Sequence, residues 1–298
     1  MHTLKLLLFT ALLSGCTNLF FHPHRILVDT PDKFNLEYQV EKIKAADGTL
    51  LNAWFLPAQN IPAQNNPAQN NSIQNNSIQP KIKPEAKATV LFLHGNAENI
   101  STHFRSVAWL SLEGFNVLAL DYRGYGESEG VPTLAGTQLD IDAAMRSLLK
   151  HQDVNPNKII VLGQSLGGAL AIHYTAHSAY RANIRAVVID SAFYDYRQIA
   201  REKLATSPLT WLLQWLPWLI INNDYSPADS IAAISPLPLL LLHGDRDVVV
   251  PLHHAQQLFE HANAPKERWI EQGAGHTQAM SSQALRKRLV EFLLRHSG

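Results

Sequence analysis

The chain has 298 residues, 46% of them hydrophobic and 17% charged, which is enough apolar material for the core of one sizeable domain. Its 25 lysines and arginines balance 25 aspartates and glutamates, so a broad basic face for nucleic acid is not expected. We therefore expect a single α/β domain and no nucleic-acid partner.

Residues 1–15 have the pattern of a signal peptide. Lys5 precedes an apolar run over residues 6–13, which is shorter than the roughly 20 residues that a membrane span needs. The sequence L-S-G-C at residues 13–16 resembles a bacterial lipobox, in which the chain is cut before the cysteine and that cysteine is acylated. An ordinary cleaved signal peptide or a buried N-terminal helix is the alternative.

Cys16 is the single cysteine of the chain, so the mature domain is predicted to have no disulfide and no thiolate metal site. The lipobox reading makes Cys16 the lipid-attachment residue and places the protein in the bacterial cell envelope as a lipid-anchored membrane protein. Thr17 is not an aspartate, the residue that resembles an inner-membrane retention signal, which favours the outer membrane. The anchor makes a membrane the expected partner.

The folded domain is predicted to begin at residue 36, after a tether over residues 16–35. A turn at Asp47-Gly48 separates two strand-like runs and predicts a β-hairpin. Residues 58–83 are rich in asparagine, glutamine, proline and alanine, a composition that cannot bury a core, so this segment is predicted to be a disordered insertion.

From residue 88 onward, short apolar runs alternate with helix-like stretches. The runs are continuous, as expected of strands that are buried on both faces, and they cover residues 89–93, 116–120, 158–162, 185–189, 237–242 and 268–270. This pattern predicts a mostly parallel central sheet with helices on both faces. Ligands of such sheets bind at the carboxyl ends of the strands.

A G-x-S-x-G motif at residues 163–167 follows one of these runs and precedes a helix-like stretch. The serine of such a motif needs a strained turn that lifts its Oγ above the sheet. Ser165 is therefore the predicted nucleophile. His276, after the last strand run, fits the base, which comes last in this order of catalytic residues. The carboxylate that orients it should follow the run at 237–242, where Asp245 and Asp247 are the two candidates, and we favour Asp247.

Four segments resemble the α/β-hydrolase superfamily over roughly residues 36–298: H-G-N-A at 94–97, D-Y-R-G-Y-G-E-S at 121–128, G-Q-S-L-G at 163–167, and 243–251 with the later histidine. The chain looks most like the small-capped BEM46-type and ABHD13-like or ABHD17-like hydrolases. Their H-G-x-x-D-x-x-V-P pattern implies Asp247 as the acid. The resemblance also implies an oxyanion hole formed by Leu166 and by either Asn96 or Ala97.

The other histidine pairs do not predict a metal site. His173 and His177 have the spacing of a helical metal pair, but the glutamate of a metalloprotease helix is absent between them. His253 and His254 are adjacent and are expected to be surface residues. We predict no metal and no cofactor.

Residues 191–235 are predicted to form a small helical cap over the site. Their apolar stretch at 211–221 is interpreted mainly as packing onto the body of the domain, and alternatively as an apolar pocket or a membrane-facing lid that admits an acyl chain.

These features predict a serine hydrolase that cleaves an ester or thioester of a small-molecule or acyl substrate through an acyl-serine intermediate, without an obligate protein partner. A serine peptidase or amidase is the main alternative, because the triad chemistry is shared and the pocket decides the substrate. A catalytically silent, tethered binding protein is a third possibility. The presence of all three triad residues argues against it.

Overall fold

The computed structural model describes residues 20–59 and 85–298. The strands of these residues are β1 (His22–Pro23), β2 (Gln39–Lys44), β3 (Leu50–Leu56), β4 (Thr89–Leu93), β5 (Ala97–Glu98), β6 (Asn116–Leu120), β7 (Ile159–Gln164), β8 (Ile184–Asp190), β9 (Leu239–Gly244) and β10 (Lys266–Glu271). Eight of them form one sheet in the order β10-β9-β8-β7-β4-β6-β3-β2, while β1 pairs with β5. The pairs β2–β3 and β3–β6 are antiparallel and the other five pairs are parallel, which confirms the mostly parallel sheet.

Helices cover both faces of this sheet. In the described residues they are α1 (Ile100–His103), α2 (Trp109–Leu112), α3 (Leu134–Leu148), α4 (Leu166–His177), α5 (Tyr196–Ala205), α6 (Leu216–Ile220), α7 (Pro227–Ser230), α8 (His253–His261) and α9 (Gln283–Ser297). Along β4, Leu91 and Leu93 join the core under α3 and α4, whereas Val90 and Phe92 join the core under α1, α2 and α9. The apolar run is continuous because both faces of the strand are covered.

The N-terminal residues of the described chain pack against the domain. Phe21 is buried and meets the Tyr125 ring edge-on at 6.5 Å between ring centroids. The Asn99 amide donates hydrogen bonds to the carbonyls of His24 and Ile26, at 2.8 and 2.9 Å. Within the tether expected over residues 16–35, aromatic and backbone groups of residues 21–26 thus have partners on the body. Residues 16–19 lie outside the described part.

The Asn/Gln-rich insertion expected over residues 58–83 lies outside the described residues except for its first two. The backbone N–H of Ala58 donates to the Asn116 side chain, and that of Gln59 donates to the Ser111 carbonyl, each at 2.8 Å. The folded body thus extends through Gln59. The predicted signal peptide and Cys16 also lie outside the described residues.

Short helical elements fill the chain between β8 and β9, where the cap was expected. Its two ends belong to the core: Tyr196 and Ile199 are buried on α5, and Ile231 and Ile234 are buried after α7. Residues 209–219 between them carry exposed apolar side chains. The ends of the cap therefore pack onto the body as expected, whereas its middle does not.

Candidate active site

The turn between β7 and α4 holds Ser165 in a strained backbone conformation. Its φ of 54° and ψ of −119° lie outside the regions that side chains normally favour. The glycines at 163 and 167 allow the tight crossing, because a Cβ on Gly163 would strike the carbonyl of Gly167 and a Cβ on Gly167 would strike that of Leu93. The sequence motif thus produces the local geometry that exposes an Oγ at the end of a strand.

Three predicted residues meet at the carboxyl end of the sheet. The Nε2 atom of His276 lies 3.0 Å from the Oγ of Ser165, and its Nδ1 lies 2.7 Å from Oδ2 of Asp247. An imidazole between a hydroxyl and a carboxylate can take the hydroxyl proton on one nitrogen while the other stays hydrogen-bonded. The arrangement supports nucleophilic catalysis by the serine.

The acid is held by the backbone of its own loop. Oδ1 of Asp247 accepts hydrogen bonds from the N–H groups of Val249 and Val250, each at 2.8 Å. Burial raises the pKa of Asp247, but the hydrogen bond and charge of His276 and the backbone bond from Val250 lower it by more, so that the pKa lies below its usual range. Asp247 is therefore ionised near neutral pH, as a group that stabilises an imidazolium must be.

Asp245, the other candidate acid, has a different contact. Its Oδ1 accepts the backbone N–H of Gly273 at 2.6 Å, and its own N–H donates to the carbonyl of Glu271. Gly273 belongs to the loop that carries His276. Asp245 thus joins the loop of the acid to the loop of the base, while Asp247 contacts the base itself.

The loop after β4 passes over the nucleophile. A Cβ on Gly95 would lie 3.6 Å from the Cβ of Ser165. Leu166 begins α4, where the first N–H groups of a helix have no partner within the helix. The Asn96 side chain accepts the backbone N–H of His22 at 2.9 Å, and Ala97 lies in β5 opposite His22. The choice between the Asn96 and Ala97 N–H groups as second oxyanion donor stays open.

A buried polar network that sequence reasoning did not find supports the nucleophile turn. The Gln164 amide donates to the Asp190 carboxylate at 2.8 Å, and the Ser191 hydroxyl donates to its other oxygen at 3.0 Å. The Ser191 hydroxyl also accepts the N–H of Thr277 at 3.1 Å, and the Ser165 N–H donates to the Asp190 carbonyl. Asp190 is the last residue of β8 and Ser191 follows it, and this place at the carboxyl end of a strand was the sequence signal available. Their partners Gln164 and Thr277 lie on another strand and in another loop.

Two further histidines lie beside the site and hold the loop after β4. His94 is fully buried and donates from Nδ1 to the Gly95 carbonyl, and the His103 ring stacks on it at 5.3 Å between centroids. His103 lies 2.9 Å from the Ala97 carbonyl through Nε2. Burial, assisted by the neighbouring His94, lowers the pKa of His103 to about 4. In its uncharged form at neutral pH, His103 therefore holds the loop after β4 through the Ala97 carbonyl.

Of the two histidines expected at the surface, His253 is exposed and His254 is not. Their Nε2 atoms each lie 2.9 Å from one of the two carboxylate oxygens of Glu202 on α5, and His254 is fully buried. The Nδ1 of His254 accepts the N–H of Tyr194, so its proton is on Nε2 and points at Glu202. This cluster is therefore a hydrogen-bonded link between α5 and α8.

Comparison with known proteins agrees with this geometry. Residues 84–235 match a family described as "Serine aminopeptidase, S33", and residues 219–297 match one described as "TAP-like protein". The protein YfhR of Escherichia coli strain K12 is 34% identical over 93% of this chain and 87% of its own length. The chain belongs to the α/β-hydrolase family.

Further relatives confirm the resemblance stated from the motifs. The protein bem46 of Schizosaccharomyces pombe is 29% identical over 81% of this chain and 71% of its own length. The solved structure of the Pyrococcus furiosus esterase Pf2001 superposes with a TM-score of 0.69 at 25% identity, covering 94% of this chain and 98% of the esterase. The family and this esterase neighbour support a hydrolase activity.

Proposed function

We propose that this hydrolase is a membrane-tethered serine esterase or thioesterase that works through an acyl-serine intermediate and needs no cofactor. The observation that carries the proposal is the pair of hydrogen bonds made by the His276 ring, between Nε2 and the Ser165 Oγ at 3.0 Å and between Nδ1 and the Asp247 Oδ2 at 2.7 Å. A nucleophile, a base and an orienting acid in this order are the parts that acyl transfer requires.

The chemistry follows from these contacts. The Ser165 Oγ attacks the substrate carbonyl while its proton moves to Nε2 of His276, and the negative charge develops on the carbonyl oxygen. Collapse of the tetrahedral intermediate expels the alcohol or thiol, which takes the proton from His276. Water then attacks the acyl-serine, gives its proton to the same nitrogen, and releases the carboxylic acid and the restored hydroxyl.

The oxyanion needs backbone donors that are already in place. The N–H of Leu166, at the start of α4, is our proposed first donor, and the N–H of Asn96 or Ala97 is the proposed second. The position of Gly95 against Ser165 supports this assignment, because it brings the loop over the nucleophile. A side chain at residue 95 would occupy the space between them.

An ester or thioester is our preferred substrate class because the esterase Pf2001 covers nearly the whole chain. The description of the matched family as a serine aminopeptidase favours a second candidate, cleavage of a peptide amide. The assembled triad gives no reason to propose a silent binding protein. The tether is proposed from the sequence at Cys16, with the outer membrane preferred.

Replacement of Ser165 by alanine tests the nucleophile. We expect the variant to lose both ester hydrolysis and covalent labelling by a fluorophosphonate, while its melting temperature stays near that of the wild type. The matched control is Ser147→Ala on α3, which should label like the wild type. Labelling of Ser165→Ala at the wild-type rate would exclude this serine as the nucleophile.

A substrate panel separates the two candidate functions. The wild-type protein is assayed on p-nitrophenyl esters of increasing chain length, on an acyl thioester and on an aminoacyl amide, with Ser165→Ala as the blank. We expect kcat/KM to be highest on an ester or thioester. A higher kcat/KM on the amide would replace the esterase by the aminopeptidase.

A further inference from the structure

An apolar surface is concentrated in the middle of the cap. Seven of the 18 exposed large hydrophobic side chains in the described residues fall within residues 209–219. We call this surface the cap face. The side chains that dominate it, with their exposed fractions, are Leu209 (89%), Trp211 (57%), Leu212 (75%), Trp215 (61%), Trp218 (50%) and Leu219 (66%). Patches of this kind mark a surface that contacts a partner or a membrane.

The helix that precedes the cap face contacts the loop of Asp247. Lys203 on α5 donates from Nζ to the Val248 carbonyl at 3.4 Å. Val248 and Val249, directly after Asp247, are 85% and 42% exposed. The Arg201 guanidinium, also on α5, lies 5.8 Å from the centre of the Trp218 ring. One basic side chain of α5 therefore lies beside the cap face, and another contacts the loop of the acid.

The N-terminal end of the described chain packs on the same helix, at its first turn. The Phe20 ring packs on Tyr196 of α5 at 4.9 Å and on Phe193 at 6.3 Å between ring centroids. Residue 16 is four residues earlier, so even a fully extended chain keeps it within about 14 Å of Phe20. An anchor at Cys16 would therefore emerge beside α5, the helix that begins the cap.

We propose that the cap face docks onto the lipid bilayer and turns the active-site edge of the sheet towards the membrane. Tryptophan prefers the boundary between headgroups and acyl chains, leucine prefers the layer below, and arginine and lysine beside them fit anionic headgroups. The short chain to the proposed anchor favours a membrane over a second protein copy. The substrate is then an ester whose acyl chain resides in the bilayer. This inference rests on the proposed anchor and deepens the proposed function.

Bromine quenching measures whether the cap meets lipid. The full-length protein, purified from membranes, is reconstituted into 7:3 phosphatidylethanolamine–phosphatidylglycerol vesicles with or without brominated acyl chains. We expect bromines to quench tryptophan emission in the wild type and in Trp109→Phe/Trp269→Phe. The quenching should be lost in Trp211→Phe/Trp215→Phe/Trp218→Phe. Equal emission from the wild type in both kinds of vesicle, although the protein floats with them, would show that the cap face points to water and overturn the proposal.

Vesicle binding without the anchor is the second measurement. In the Cys16→Ser background, Trp215→Ser/Leu219→Ser should bind the same vesicles at least about tenfold more weakly. The matched control Val131→Ser/Leu294→Ser removes two exposed apolar side chains from other surfaces and should bind unchanged. A concentration-dependent dimer that Trp215→Ser/Leu219→Ser abolishes, with unchanged vesicle binding, would assign the cap face to a second copy and overturn the proposal.

Activity on a short soluble ester separates this inference from the proposed function. Trp215→Ser/Leu219→Ser should retain wild-type kcat on that ester and lose activity selectively on a long-chain ester carried in vesicles. An equal loss on both esters would contradict docking as the cause. Absence of fluorophosphonate labelling in the wild type would instead refute the serine mechanism. The quenching experiment would still show whether the cap face contacts lipid.

Discussion

Asp247 uses its two carboxylate oxygens for different tasks. Oδ2 holds Nδ1 of His276, while Oδ1 accepts two backbone N–H groups of its own loop. His243 adds a nearby ring nitrogen, 3.5 Å from Oδ2, which itself donates to the Val250 carbonyl. The carboxylate is thus fixed in orientation before any substrate binds, and this is what keeps the base in one tautomer.

Asp247→Asn should therefore lower kcat on a short ester by about 10⁴-fold, as the equivalent change does in serine proteases, because the amide can hold the wrong tautomer of His276. Asp245→Asn is the matched comparison. It removes the negative charge but leaves an amide oxygen that can still accept the Gly273 N–H, so it should cost at most about 1 kcal/mol of unfolding free energy with a far smaller loss of kcat. Steady-state kinetics and denaturant unfolding of both variants check this. If Asp245→Asn is the inactive, folded variant, the acid has been assigned to the wrong residue.

His103 makes the stability of the protein depend on pH. Its pKa is about 4 in the folded protein and 6.5 in an ordinary environment, so between these values the unfolded chain binds more protons. The contribution of the uncharged His103 side chain to the free energy of unfolding is therefore complete above pH 6.5, and it is lost progressively as the pH drops towards 4. As the pH is lowered, the free energy of unfolding of His103→Gln should fall less steeply than that of the wild type. The two slopes should differ by at most about 1.4 kcal/mol per pH unit. Urea unfolding of both proteins between pH 7 and pH 4.5 measures it, and parallel curves would contradict the prediction.

At the scale of elements, α5 connects the cap to the body through Glu202. The side chain contacts one exposed and one buried histidine of α8. Burial raises the pKa of Glu202, but hydrogen bonds from Gln198 and the two histidines lower it below its usual value. The helix that begins the cap is thus attached by an ionised group to the element that follows the loop of the acid.

Glu202→Ala should lower the free energy of unfolding by about 1–3 kcal/mol, because it leaves the buried N–H of His254 without its acceptor. Glu260→Ala, which changes an exposed glutamate of α8, serves as the control and should shift stability by less than about 0.5 kcal/mol. Denaturant unfolding of the two variants measures the difference. Equal stability of both would show that the link between α5 and α8 contributes nothing.

At the scale of the whole molecule, no helix within residues 20–59 and 85–298 is long and apolar enough to cross a bilayer. Phe20, the first described residue, packs on Tyr196 of α5, and Lys203 of the same helix donates to the Val248 carbonyl beside Asp247. A short tether at this end would hold the active site close to the membrane.

Cys16→Ser should release most of the protein from the membrane fraction, because stable anchoring needs acyl chains and the cap face alone binds reversibly. Fractionation of cells that express the wild type or the variant, followed by detection of the protein in each fraction, measures this. Ser165→Ala is the control, since it should leave the distribution unchanged. A Cys16→Ser protein that stays fully in the membrane pool would exclude this cysteine as the anchor.

The sequence by itself predicted the fold class, which the structure confirms, and pointed to Ser165 and His276 as the candidate nucleophile and base. The buried strands and the turn around Ser165 could be predicted because continuous apolar runs and closely spaced glycines act over a few residues. The position of His276 followed from chain order. The choice between Asp245 and Asp247 relied on the resemblance to known hydrolases, because both residues follow the same strand.

Only the tertiary structure decided which groups complete the site. The acid was chosen by a 2.7 Å contact between residues 29 positions apart, and the Ser191–Thr277 bond joins residues 86 positions apart. The packing of Phe20 on α5 was likewise not visible in the sequence. These contacts depend on how distant loops are brought together by the sheet, and periodicity and local propensity carry no information about that pairing.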